Sequence, residues 1–193
     1  RKESSAASDV YKRQSQAQGN APKEGKEYLV LGKPAPTDAP KGQVEVVEFF
    51  WYSCPHCNAF EPRLEAWVKQ LPKDVSFRRA PVSFRADFEP QQRLYFVLEA
   101  LNLVDTLHAK VFYAIHVERK NLTTKDAIAT WIATQGVEKA KFLETYDSFS
   151  VASKARRASQ LQDAYEVAGV PSIGVGGRFY TCLLYTSPSP RDS

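Results

Sequence analysis

The feature that most constrains this chain is a buried strand that ends just before a pair of cysteines. Val44-Glu-Val-Val-Glu-Phe-Phe50 is a nearly continuous run of β-branched and aromatic residues, which reads as a central strand covered on both faces. Four residues later comes Cys54-Pro55-His56-Cys57. A helix is predicted to start there, because Cys57, Phe60, Leu64, Trp67, Val68 and Leu71 recur at helical spacing until Pro72 stops them. Pro62 falls inside that helix and is expected to kink it. A strand that feeds a helix at once needs another strand beside it, and Val75 to Val82 supplies one.

The rest of the pattern surrounds this unit. Glu27-Tyr-Leu-Val-Leu31 reads as a short strand. Residues 88–168 read as a block of helices. In it Leu94, Val97, Leu98 and Leu101 share one face, and Leu107, Val111, Phe112 and Ile115 share another. Thr124 opens a further helix through Trp131 and Ile132, which Gly136 closes. Phe142, Leu143 and Tyr146 mark a short one. Ala158, Leu161, Tyr165 and Ala168 define the last, closed by Gly169. Val170-Pro171-Ser-Ile-Gly-Val175 is a strand opening on proline, and Gly176-Gly177 signals a hairpin. Trp67 and Trp131 are expected in the core, and His108 and His116 at the surface or in helix packing.

Residues 1–26 are polar and lack a hydrophobic period, so they are expected to be disordered. Residues 1–14 and 182–193 resemble translated sequencing-adapter sequence and are set aside from fold reasoning. The expected arrangement is therefore an α/β domain from 27–87 and 169–181, with 88–168 inserted as an all-helical unit. No apolar run is long enough to cross a bilayer, and no signal-peptide core is visible. A net charge of +4, evenly scattered, does not support a nucleic-acid partner.

The chemistry rests on the cysteine pair. There are three cysteines, Cys54, Cys57 and Cys182, and an odd count argues against a disulfide framework. Cys54 falls where a strand ends and a helix begins, where orphan N–H groups and the helix dipole favour an anion. The thiolate is that anion and is the reactive form of cysteine. Pro55 and His56 separate the two sulfurs by one turn, and His56 offers a positive charge or a donor. Stabilising the thiolate favours the reduced form and makes the disulfide a stronger oxidant. Cys54 then carries a mixed disulfide with substrate, and Cys57 resolves it. Two other readings compete. A zinc site needs about four ligands, and His108 and His116 are too far apart for the usual pairing. A structural disulfide across so short a loop would constrain the unfolded chain little.

Phe49-Phe-Trp-Tyr-Ser-Cys-Pro-His-Cys57 resembles the active-site segment of the DsbA family of bacterial periplasmic disulfide oxidases. Pro62 in the helix, the helical block, Val170-Pro171 and Glu48 agree with that resemblance, which covers about residues 27–181. It implies a thioredoxin fold with an inserted all-helical domain. It also implies a cis Pro171 facing the cysteines, with the strand at Val170 and Pro171 pairing with an extended substrate. The alternative at Pro171 is an ordinary trans proline starting a strand. Glu48 becomes the buried carboxyl beneath the cysteines, with a raised pKa and a proton to relay to Cys57. Arg79 becomes its charge partner. The alternative for Glu48 is an exposed carboxylate on a sheet edge.

The resemblance further implies disulfide donation to newly secreted proteins, no metal or organic cofactor, a monomer in the periplasm and re-oxidation by a membrane partner of the DsbB type. Part of the Phe50, Trp51 and Tyr52 cluster would offer an apolar surface to unfolded substrates. One departure stands out. Arg178-Phe-Tyr-Thr181 starts the family's last strand, so that strand and the helix after it are expected to be truncated, leaving an exposed edge, with Cys182 an extra thiol able to form mixed dimers. Rival functions are a reductase or isomerase on the same scaffold, a module holding a soft metal such as Cu(I), and a fragment that does not fold.

Overall fold

The computed structural model describes residues 21–183. The expectations for 1–20 and 184–193 lie outside the described residues. In chain order the elements are β1 (Leu29–Val30), β2 (Val44–Phe50), α1 (Pro55–Val68), β3 (Val75–Pro81), a 3-10 turn (Ala86–Phe88), α2 (Glu89–Ala100), α3 (Val104–His116), α4 (Lys125–Thr134), α5 (Lys139–Tyr146), α6 (Phe149–Ala164), β4 (Ser172–Val175) and β5 (Phe179–Cys182). The strands form one mixed sheet in the order β1-β5-β4-β2-β3. β2 is parallel to β3, and the other neighbours are antiparallel.

The apolar run predicted as a central strand is one. β2 pairs on both sides, and every residue after Val44 is buried. Phe49 and Phe50 are fully enclosed, and burying a side chain of this size contributes roughly 1.5–3 kcal/mol. The helices from α2 to α6 lie between β3 and β4 in sequence, so the sheet closes across them: β4 returns to pair with β2. α2 and α6 pack on each other and on β3. The hairpin signal holds, with Gly176 and Gly177 at φ 60° and 68° between β4 and β5. These left-handed conformations are what a tight hairpin turn demands.

Several local expectations are revised. The first strand is confined to two residues, and a turn precedes it in which Gly25 N–H donates to Tyr28 O at 2.7 Å. The last helix ends at Ala164, short of Ala168. Glu166 adopts a left-handed φ of 52°, and Val167 N–H donates back to Gln162 O at 3.1 Å. A carboxylate residue, not Gly169, thus closes the helix in a Schellman-type turn. Trp67 is 44% exposed, whereas Trp131 is buried as expected. The inward face of α1 is Cys57, Glu61 and Leu64, and Trp67 lies at the helix end beside Phe77.

The last strand does not stop at Thr181. Cys182 completes it, and Leu183 N–H donates to Pro171 O at 3.1 Å. β5 pairs with β4 on one side and β1 on the other, so β1 shields its edge. Cys182 is 5% exposed, which removes it from the surface where an extra thiol would meet other molecules.

Candidate functional site

The site begins with a capping substitution. Helix α1 starts at Pro55, whose missing N–H costs nothing in the first turn. The residue before it is Cys54, at φ −79° and ψ 116°, and its sulfur accepts the Cys57 N–H at 3.2 Å. A sulfur thus occupies the place that Ser or Asp fills at most helix starts. The first turn of α1 carries no acidic residue, so no competing negative charge sits beside it.

The two sulfurs are in opposite situations. Cys54 is 6% exposed, and its pKa is lowered from 9.0 to about 7. The Cys57 thiol hydrogen bond is the largest cause, and the backbone N–H groups of Cys57 and His56 add to it against the cost of burial. Cys57 is fully buried, and that burial, together with the Cys54 charge, pushes its thiol far up. Both are free thiols. His56 and Pro55 are exposed on the first turn of α1. His56 helps Cys54 through its backbone N–H.

Val170 and Pro171 are brought to the cysteines from the far end of the sequence. The Val170–Pro171 bond is cis. The Cys54 thiol donates to the Val170 carbonyl at 3.6 Å.

Glu48 lies beneath the pair, fully buried in β2. Its register partner on β3 is Arg79, whose Nε donates to Glu48 Oε2 at 3.1 Å. Burial first, and the nearby Glu61 second, raise the Glu48 pKa from 4.5 to about 8, although Arg79 opposes them. The carboxyl therefore keeps its proton at neutral pH. Glu61, one turn beyond Cys57 on α1, also binds Arg79, through Nη2. Burial works against its charge, but His108 and Arg79 together hold its pKa below the usual value. Among the described residues, no group of three or more His, Cys, Asp or Glu side chains is placed to hold a metal ion.

A family model for the DSBA-like thioredoxin domain matches residues 45–184. The chain belongs to that DsbA-like family. The thiol:disulfide interchange protein DsbA of Bordetella parapertussis is 47% identical over 176 residues, covering 91% of this chain and 81% of the relative. The protein of the same name from Burkholderia cepacia is 43% identical over 175 residues, covering 91% and 82%. The crystal structure of Pseudomonas aeruginosa DsbA superposes with a TM-score of 0.79 at 42% identity, over 83% of each chain.

In this DsbA-like chain the helical block also reaches the loop before Cys54, which sequence reasoning missed. Gln91 of α2 accepts from Ser53 N–H at 3.2 Å, and its amide donates to Leu122 O at 2.9 Å. His108 and His116 of α3 hold Tyr52 at two points. His108 Nδ1 meets the Tyr52 hydroxyl at 2.7 Å, and His116 Nε2 meets the Tyr52 carbonyl at 2.7 Å. His108 is 1% exposed, so its expected place at the surface is excluded and packing is its setting. The available signal was the spacing of the two histidines: eight residues apart on a helix, they share a face. Phe50 and Tyr52 are buried in this packing and offer no surface to substrates. Trp51, partly buried, stacks on Phe88 at 4.0 Å.

Proposed function

We propose that Cys54 and Cys57 are the redox-active pair of this thiol:disulfide oxidoreductase, and that it acts as a disulfide donor. The observation that carries the reading is the Cys54 sulfur at the start of α1, accepting the Cys57 N–H at 3.2 Å while Cys57 itself is enclosed. A substrate thiolate attacks Cys54 of the disulfide form. A bond forms between the substrate sulfur and Cys54, and the Cys54–Cys57 bond breaks with its electron pair going to Cys57. Cys57, whose own thiol is pushed far up, takes a proton. Glu48 is the nearby carboxyl that holds one at neutral pH. The second substrate thiolate then attacks the substrate sulfur of the mixed disulfide and releases Cys54 as a thiolate. The substrate loses two electrons and the protein gains two.

Thiolate stabilisation at Cys54 favours the products of this sequence, which supports the donor direction. The exchange needs no metal or organic cofactor, only the sulfur pair. The backbone at Val170 and Pro171 beside Cys54 is suited to align an extended substrate chain. Family membership supports newly secreted proteins as substrates, the periplasm as the compartment, a membrane re-oxidase of the DsbB type and action as a monomer. No helix among the described residues is long and apolar enough to cross a membrane.

The test is the redox equilibrium of the pair against glutathione, on a Cys182→Ala protein so that only one couple is read. A pair more oxidising than glutathione is the expected result. A pair more reducing than glutathione would move the assignment to a reductase on the same fold.

A further inference from the structure

Two buried carboxyls, Glu48 and Glu61, share the single guanidinium of Arg79. Burying two negative charges against one positive charge is unfavourable, so one carboxyl keeps a proton. Arg79 touches both and does not by itself select between them. A third group touches only one. His108 Nε2 lies 3.3 Å from Glu61 Oε1, whereas each carboxyl keeps one oxygen, Glu48 Oε1 and Glu61 Oε2, without a hydrogen-bond partner among the described residues.

The tautomer of His108 follows from its neighbours. A bare ring nitrogen facing a carboxylate would set two acceptors against each other, so Nε2 carries the proton. Nδ1 is then the acceptor, and the Tyr52 hydroxyl donates to it at 2.7 Å. Other groups around the ring fit a neutral imidazole. Phe50 and Phe112 pack edge-on, as does Tyr95 of α2 at 5.8 Å. Burial, the largest influence, and the Arg79 charge disfavour the imidazolium, against Glu61 and the more distant Glu65 of α1. Among the described residues His108 Nε2 makes no hydrogen bond of full geometry, but at 3.3 Å from Glu61 Oε1 it sets a polarised N–H beside one carboxylate and not the other.

We propose that His108, fixed by Tyr52, is a positioning residue that assigns the proton of the buried carboxyl pair: its N–H keeps Glu61 ionised and leaves the proton on Glu48. The inference deepens the role given to Glu48 above and rests on that reading of the site. Its consequence is electrostatic. A neutral Glu48 places no second anion beneath the Cys54 thiolate and stores a proton beside Cys57. Helix α3 of the helical block thereby reaches the cysteines through Tyr52 and Glu61, without touching substrate.

The test is a site-resolved NMR titration of the Glu48 and Glu61 carboxyl carbons in the reduced protein. It reads protonation and not redox direction, so it can fail while the disulfide-donor reading stands. In the unaltered protein Glu48 is expected to titrate near pH 8, with Glu61 ionised throughout the neutral range. In His108→Leu the Glu48 midpoint is expected to fall by about one pH unit, a tenfold change in proton affinity, and the Cys54 thiolate midpoint to rise. His108→Gln, whose amide can donate to Glu61 and accept from Tyr52, is expected to restore both. Purely structural packing would alter the melting temperature and leave both midpoints in place. Should His108→Leu not fold, Tyr52→Phe tests the same assignment by freeing the tautomer, with the same fall in the Glu48 midpoint expected. The proposal is overturned if Glu61 holds the proton in the unaltered protein, or if the folded variant leaves the Glu48 midpoint unchanged.

Discussion

Cys57 supplies its backbone N–H to the sulfur of Cys54 at 3.2 Å and buries its own sulfur one turn below. In the proposed exchange, the residue that stabilises the Cys54 thiolate is thus also the one whose sulfur leaves when the substrate thiolate attacks Cys54. The two sulfurs share one turn of α1 but not one environment.

This asymmetry predicts opposite outcomes for the two serine variants. Cys54→Ser removes the only one of the pair held ready as a thiolate, and disulfide transfer is expected to fall by ~100-fold or more. Cys57→Ser leaves Cys54 able to form a mixed disulfide but not to be released by its partner. With a disulfide-linked peptide, Cys54 attacks the peptide disulfide and one peptide half leaves as a thiolate, so non-reducing electrophoresis is expected to show a persistent adduct for Cys57→Ser and none for Cys54→Ser.

The raised pKa of Glu48 predicts a pH dependence of stability. The folded state holds this proton up to about pH 8, whereas the unfolded chain releases it near 4.5. The folded state binds more protons between these values, so this contribution is full below 4.5 and is lost as pH rises to about 8. His108 works in the other direction below its ordinary value of 6.5, because burial keeps it neutral. The clean window is therefore 6.5 to about 8. In the oxidised protein, where neither sulfur of the pair titrates, denaturant unfolding should show stability falling across that window. Glu48→Gln should flatten the fall.

Arg79 and Glu48 should differ sharply in their response to mutation, although they are bonded to each other. Arg79→Met strands the Glu61 charge in the interior, and breaking a buried pair in this way costs ~3–5 kcal/mol. Glu48→Gln replaces a carboxyl that is already neutral at pH 7 and should change stability by about 1 kcal/mol or less. Denaturant midpoints of the two variants at neutral pH check the difference.

Gly174 should tolerate no side chain. A Cβ there would sit 2.4 Å from Tyr165 Cε1. The ring cannot retreat easily, because it is fully buried and its hydroxyl accepts Gly177 N–H at 2.9 Å. Gly174→Ala should therefore destabilise by ~1–3 kcal/mol, visible as a lower melting temperature, with the Cys54 pKa unmoved.

The sequence by itself determined the central strand, the helix start at Cys54 and the hairpin at Gly176-Gly177. Each is local: a run of apolar residues, a periodicity of 3.6 and a pair of glycines act within a few positions along the chain. The resemblance at Cys54-Pro55-His56-Cys57 added Glu48, Arg79 and the cis bond at Pro171, which spacing alone does not reach. Only the tertiary structure decided how Gln91, His108 and His116 meet the loop before the cysteines, across 38 to 64 residues. It also decided that Glu166 and not Gly169 ends α6, and that Cys182 is enclosed in a paired strand. A histidine on an amphipathic helix carries no sign of what its ring will face. Its protonation is set by burial and by neighbours from other elements, and those exist only once the helical block has closed over the sheet.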